Sequence, residues 1–224
     1  MLKLNKKGSL IVISGPSGAG KDTVVNKLKE INDNIWVSIS CTSRLPRGLE
    51  VDGKDYFFLT KEQFEEKINN NEFLEYAVYN DNYYGTPLYK INEKLNEGID
   101  VILVIEVQGA LYVKQHVKDA IFIFIMPPSM KELKKRLVGR GTESKEKVLD
   151  RFKRAYKEIN ELTSYNYVVI NDVVENAVSK MAAILLSEKC RVDRIEEVYL
   201  NNEEEEIHEL LMDDKEFINE DIKL

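Results

Sequence analysis

The sequence predicts an α/β fold in which a parallel sheet is covered by helices on both faces. Three observations lead there. Short, wholly apolar runs of strand length recur along the chain, each is followed by a stretch whose apolar residues repeat at helical spacing, and the first such junction is a glycine-rich turn. A chain of 224 residues, 43% of them hydrophobic, can bury a core that needs no covalent staples. Its five prolines and 11 glycines exclude a collagen-like or low-complexity chain. Length alone is compatible with one domain or two.

Residues 9–14 form the first apolar strand and residues 21–30 the first helix, with Val24, Val25 and Leu28 on one face. Between 36 and 88 the pattern changes to short alternating runs at 37–41, 56–59 and Phe73–Tyr79, punctuated by Gly53 and by Asn80-Asp81-Asn82. This predicts a small, mostly antiparallel insertion. It carries one helix, Lys61–Asn69, whose start is marked by Thr60 and Gln63 at capping-box spacing. Strand-length apolar runs return at 101–107 and Ile121–Met126, with helices expected at 109–116 and 129–138. Charged helical sequence extends from 130 to 160 and is broken at Gly139-Arg140-Gly141-Thr142, which predicts two helices and a hinge. The strand Tyr167–Ile170 and a helix at 173–189 complete the alternation. No internal repeat of solenoid period interrupts it.

The 32 Lys and Arg are outnumbered by 39 Asp and Glu, a net charge of −7. Twelve of those acids and two of the bases lie in 196–224, so residues 1–195 carry 27 acids and 30 bases and the acidity belongs to the tail. That tail reads as a solvated or partly helical appendage. The acidic sum disfavours nucleic acid as a partner. No apolar run is long enough for a signal-peptide core or a membrane span, so a cytoplasmic, soluble protein with no membrane partner is expected. Cys41 and Cys190 match no metal-ligand spacing and are expected to be reduced thiols; His116 and His208 have no ligand pattern near them and read as surface residues.

Gly15-Pro16-Ser17-Gly18-Ala19-Gly20-Lys21 matches Gly-x-x-x-x-Gly-Lys between a buried strand and a helix, the context that makes a P-loop. Such a loop aims backbone N–H groups and the positive end of a helix at phosphate oxygens, and its lysine reaches the phosphates nearest the transferred group. The next position usually carries a hydroxyl for Mg²⁺. Here it is Asp22, followed by Thr23. Either Asp22 gives the metal a carboxylate oxygen, or it occupies the first helical turn, where acids are favoured, and Thr23 with water holds a metal carried largely by phosphates and water.

Ser38-Ile39-Ser40-Cys41-Thr42-Ser43-Arg44-Leu45-Pro46-Arg47-Gly48-Leu49-Glu50-Val51-Asp52-Gly53-Lys54-Asp55-Tyr56 resembles the nucleobase-monophosphate segment of guanylate kinases. The resemblance continues at 71–76, 83–86, 106–109, 127–129, 135–143 and 169–172, in family order, and spans residues 8–190. It implies a P-loop kinase three-layer fold. The core would come from 1–36, 89–128 and 165–195, a mixed or antiparallel GMP-binding insertion from 37–88, a helical lid from 129–164, and the acidic tail from 196–224. The activity it implies is Mg²⁺-dependent phosphoryl transfer from ATP to GMP, with dGMP as a further acceptor.

The resemblance also carries over residue by residue. Gly15, Pro16, Ser17, Gly18, Ala19, Gly20, Lys21, Asp22 and Thr23 bind ATP, with Asn171 facing its adenine. Arg44, Arg47, Tyr56 and Tyr84 hold the acceptor phosphate, which suits guanidinium forks and phenolic donors. Glu75, with Ser40 and Thr86 beside it, reads guanine: a carboxylate accepts the adjacent N1–H and N2–H₂ of guanine, whereas adenine has no such donor pair. Glu106 contacts the guanine amino group or orients Lys21 and the metal's waters. Arg136, Arg140 and Arg151 close over ATP and, with Lys21 and Arg44, neutralise charge in transfer. Gly139 and Gly141 allow lid motion around 139–145. One further position departs from the family: two acids one residue apart are usual, and here Val104 stands in place of the first. Asp22 is a candidate to replace that missing carboxylate. Two alternatives stay open at this point, a non-catalytic guanylate-kinase-like binding module and a nucleoside-monophosphate kinase with another base specificity, and so does the choice between monomer and homodimer.

Overall fold

The computed structural model describes residues 2–4, 7–79, 81–138 and 145–198. In chain order its elements are β1 (Leu2–Leu4), β2 (Leu10–Ser14), α1 (Lys21–Ile31), β3 (Ile35–Val37), β4 (Cys41–Thr42), β5 (Phe57–Phe58), α2 (Lys61–Asn69), β6 (Phe73–Tyr79), β7 (Asn82–Pro87), α3 (Leu88–Asn96), β8 (Asp100–Val104), α4 (Val107–His116), β9 (Ile121–Met126), α5 (Met130–Val138), α6 (Lys145–Asn160), β10 (Tyr167–Ile170), α7 (Val174–Glu188) and β11 (Ile195–Val198). The chain divides into two compact units, 6–183 and 1–5 with 184–224.

Within 6–183, a five-stranded sheet runs in the order β10-β9-β2-β8-β3, and every pairing in it is parallel. The apolar runs make this sheet because it is buried on both sides. Leu10 and Val12 of β2, Val101 and Leu103 of β8 and Phe122 of β9 join Ile91 of α3 and Ala110 and Val113 of α4 in one cluster. The intervening residues Ile11, Ile13, Ile102, Ile121, Ile123 and Ile125 point to the opposite face and are buried as well. Alternation of this kind leaves neither face for water. The expected α/β architecture is therefore the one found.

A second sheet of four strands, β5-β4-β7-β6, is mixed: β4 pairs parallel with β5 and antiparallel with β7, and β6 pairs antiparallel with β7. The run 37–41, read as one strand, divides. Val37 ends β3 in the parallel sheet, Ser38 extends that ladder by one hydrogen bond to the Ile102 carbonyl (2.8 Å), and Cys41 opens β4 in the other sheet. The run 101–107 likewise ends as a strand at Val104, because Glu106 is the extended N-cap of α4.

α2 packs Phe64, fully buried, between Phe73 (4.3 Å between ring centroids) and Tyr83 (5.1 Å). Its capping box is present in full: Thr60 Oγ1 accepts from the Gln63 N–H (3.2 Å) while the Thr60 N–H donates to Gln63 Oε1 (2.9 Å). Thr60→Ala therefore lowers stability by about 1 kcal/mol. Urea denaturation should show the midpoint falling with the slope unchanged.

In the other unit, β1 pairs antiparallel with β11, Leu2 opposite Val198 and Leu4 opposite Ile195. Glu188, buried, accepts from Arg191 (3.3 Å) and lies 3.4 Å from Arg194 Nε. The acidic tail read from 196 thus begins inside a strand, and its remainder, 199–224, lies outside the described residues. Both cysteines are free thiols, and burial pushes the Cys41 thiol up to about 11.

Candidate active site

The glycine-rich turn leaves the carboxyl end of β2, where α/β sheets place their ligand sites. Two glycines are there by necessity. Gly15 has φ +143°, and a Cβ on it would lie 2.1 Å from the Ile125 carbonyl oxygen of β9. Gly20, at φ +87°, leaves room for Asn171, whose Nδ2 would be 2.4 Å from an added Cβ. These close approaches curl the loop back on itself, and Lys21 Nζ donates to the Gly15 (2.6 Å) and Pro16 (3.4 Å) carbonyls. Burial lowers the proton affinity of this ammonium, and the nearby charges of Glu106, Asp22 and Glu158 oppose that shift.

Three expected residues gather on the same loop. Asn171, at the end of β10, donates from Nδ2 to the Ala19 carbonyl (2.8 Å); its Oδ1 is buried with no hydrogen-bond partner among the described residues. Arg136, on α5, donates from Nη1 to that same carbonyl (3.5 Å) and from Nη2 to the Asn171 carbonyl (3.1 Å), while Glu132 one turn back accepts from its Nε (3.1 Å). Arg151, on α6, donates to Ser17 Oγ (2.6 Å). Arg140, Gly139 and Gly141 lie outside the described residues. Asp22 and Thr23 are exposed in the first turn of α1.

The second sheet carries the rest. Glu75 of β6 and Thr86 of β7 are cross-strand partners, and that register lets Thr86 Oγ1 donate to Glu75 Oε1 (2.6 Å). Both are buried. Burial pushes the Glu75 carboxyl up, and the Thr86 hydrogen bond offsets part of the shift. The N-terminal turn of α4 comes up against this pair: a Cβ on Gly109 would sit 3.0 Å from Glu75 Oε2. Glu106, the N-cap of α4, is half exposed to solvent. Ser40 is half-buried in the loop before β4, where its carbonyl accepts from the Phe57 N–H (2.9 Å).

Arg44 is 8% exposed and sits over the Tyr56 ring (4.8 Å), which meets Tyr84 edge-on (6.1 Å). Its two terminal nitrogens donate to the two oxygens of Glu50, both at 2.7 Å. The main-chain N–H of Arg47 donates to the same carboxylate (2.8 Å), while the Arg47 side chain is exposed. These bonds, Arg44's first, bring the Glu50 carboxyl down to about 2. Of the two arginines expected at one anion, Arg44 brings its guanidinium to a carboxylate of the chain itself, and Arg47 reaches that carboxylate only through its main-chain N–H. Pattern reading assigned Glu50 no task, although it stands three residues beyond Arg47 in the matching segment. A second unassigned residue, Arg154 of α6, pairs with Glu106 (3.1 Å) and Glu158 (2.8 Å); its only sequence signal is the i,i+4 spacing to Glu158.

Known proteins are similar to this chain over most of its length. A guanylate kinase from Clostridium perfringens is 56% identical over 209 residues, 93% of this chain and 97% of that protein. One from Clostridium tetani is 56% identical over 208 residues and is covered in full. A crystal structure of guanylate kinase from Anaplasma phagocytophilum superposes with a TM-score of 0.70 at 35% identity, over 87% of this chain and 92% of that one. The Guanylate kinase family model matches residues 7–188, a span that opens before the phosphate loop and closes at the end of α7, and the chain belongs to the guanylate kinase family.

Proposed function

We propose that the chain transfers the terminal phosphoryl group of ATP to GMP, giving ADP and GDP, and accepts dGMP as well. The observation that carries this reading is one compact unit holding both a lysine-bearing phosphate loop and a buried carboxylate–hydroxyl pair, Glu75 with Thr86. Relatives named guanylate kinase over nearly the whole chain support it.

ATP enters with its phosphates on loop 15–20, where they take the Lys21 ammonium over from the Gly15 and Pro16 carbonyls. Burial has already removed water from that ammonium, so its attraction to a phosphate oxygen is stronger than in solution. The Glu75 carboxylate accepts N1–H and N2–H₂ of guanine, with Ser40 and Thr86 beside it and Glu106 on the amino side. Arg44, exchanged from Glu50, joins Arg47, Tyr56 and Tyr84 on the acceptor phosphate. An oxygen of that phosphate attacks the γ-phosphorus; the new P–O bond forms as the bond to the bridging oxygen breaks, and its electron pair leaves with ADP. Lys21, Arg136, Arg140 and Arg151 share the charge on the transferring group, and no side chain has to remove a proton.

Mg²⁺ fits the donor set beside the loop. Asp22, Glu106 and Glu158 are hard oxygen donors whose charges act on Lys21. Bound with ATP, the ion would supply neutralising charge to the phosphates, and Asp22 or Thr23 would orient its waters.

In this reading 37–88 receives GMP, 129–164 is the lid, and 1–36, 89–128 and 165–195 form the core. The protein works in the cytoplasm on free purine nucleotides and not on nucleic acid. No helix among the described residues is long and apolar enough to cross a membrane.

A coupled ADP-release assay with GMP, dGMP, AMP, UMP and CMP tests the proposal. Turnover should be confined to GMP and dGMP and require Mg²⁺. Absence of turnover with every acceptor overturns the enzyme reading, and AMP turned over faster than GMP overturns the task given to Glu75.

A further inference from the structure

We propose that Arg154 is a positioning residue for the acceptor nucleotide: from the lid helix α6 it holds the Glu106 carboxylate at the angle at which GMP meets it. This rests on the assignment of Glu106 to the acceptor side.

Arg154 is 45% exposed, and its fork spans two carboxylates. Nη2 lies 3.1 Å from Glu106 Oε2 at the N-cap of α4, and Nε lies 2.8 Å from Glu158 Oε1 one turn along α6. Glu158 is buried, and its Oε2 has no hydrogen-bond partner among the described residues. One guanidinium contacts both carboxylates, so the two are near enough to repel. Glu106 is 61% exposed, makes no side-chain capping bond to its own helix, and has Val104 where a second acid could have shared its load. Repulsion from Glu158 drives such a carboxylate toward solvent; a guanidinium between the two reverses that. Lysine could not bridge both, since its ammonium is one point of charge where Arg has a planar fork.

Because α6 also carries Arg151 to Ser17 of the phosphate loop, the donor and acceptor sides are touched by one helix at positions three residues apart. A lid helix seated on the loop is by the same act seated on Glu106.

The test is a double-mutant cycle on the full chain, with KM for GMP, KM for ATP and kcat measured for wild type, Arg154→Gln, Glu106→Gln and the double variant. Arg154→Gln should raise KM for GMP about fivefold, about 1 kcal/mol, the upper end for an exposed ion pair. KM for ATP and kcat should move less than twofold. Glu106→Gln should raise KM for GMP by itself, and in its background Arg154→Gln should add nothing. A fivefold effect that persists without the Glu106 charge overturns the proposal and leaves the acceptor assignment standing, since Arg154 then acts on something else. An unchanged KM for GMP in Glu106→Gln overturns the acceptor assignment itself. Should Arg154→Gln fail to fold, Arg154→Lys serves in its place, with the same criteria.

Discussion

Lys21→Met lowers kcat for ATP and GMP about a thousandfold, the upper end of what one well-placed donor contributes to a transition state. The methionine fills the same space but brings no charge to the loop, so KM for GMP, set on the other sheet, should change little. Folding should be nearly indifferent. The ammonium loses hydrogen bonds to the Gly15 and Pro16 carbonyls on substitution, but its burial already weighs against the charged form, and the two effects oppose each other within about 1 kcal/mol. A melting curve that matches wild type beside an inactive assay is the expected pair of results. The pH profile gives the same information in the intact protein. Because the lysine's proton affinity lies below its ordinary value, raising pH strips the cation from the free loop earlier than for an exposed lysine, and kcat/KM for ATP should decline on the alkaline side. In Arg136 or Arg151 variants, which keep this lysine, that decline should persist.

Glu75→Gln should cut kcat/KM for GMP by about a thousandfold and remove most of the preference for GMP over AMP, because an amide turns a donor toward the donors of guanine. Stability should move the other way. A carboxyl whose folded-state proton affinity is raised gives its full contribution below the unfolded pKa and loses it as pH rises through the folded value, so at neutral pH the ionised, buried Glu75 is a net cost. The variant should therefore melt higher than wild type at pH 7, with the advantage shrinking as pH falls through the folded-state value and gone below about pH 4, where the unfolded carboxyl is protonated too. A variant that loses both recognition and stability would show that Glu75 is held mainly by its bond to Thr86.

What could be read from the chain was what is local. The phosphate loop, the capping box of α2 and the strands β2, β9 and β10 are each written in fewer than a dozen consecutive residues, and each turned out where the pattern put it. The pairing of β1 with β11 was not legible, since three-residue strands carry no periodicity and the partners lie more than 190 residues apart. The 37–41 run was misdivided because hydrophobic alternation does not say which of two sheets a strand will join. Glu50 and Arg154 escaped for a related reason. A charged residue on an exposed stretch looks the same whether it faces water or a guanidinium on another segment, and only the folded chain brings Glu106 to Arg154 across 48 positions.

In the proposed reading, the chelate between Arg44 and Glu50 neutralises the buried guanidinium of the acceptor site before anything binds. With Arg44 only 8% exposed, an uncompensated guanidinium there would be costly, and the tethered carboxylate removes that cost at all times. Entry of GMP is then an exchange of one anion for another, not the filling of an attractive void. A resident competitor on the same chain sets a threshold: a monoester phosphate bearing close to two charges can displace it, whereas a singly charged diester or a carboxylate gains too little. In the proposed reading the loop that receives the acceptor is a charge filter, and base recognition by Glu75 would act on molecules that have already passed it.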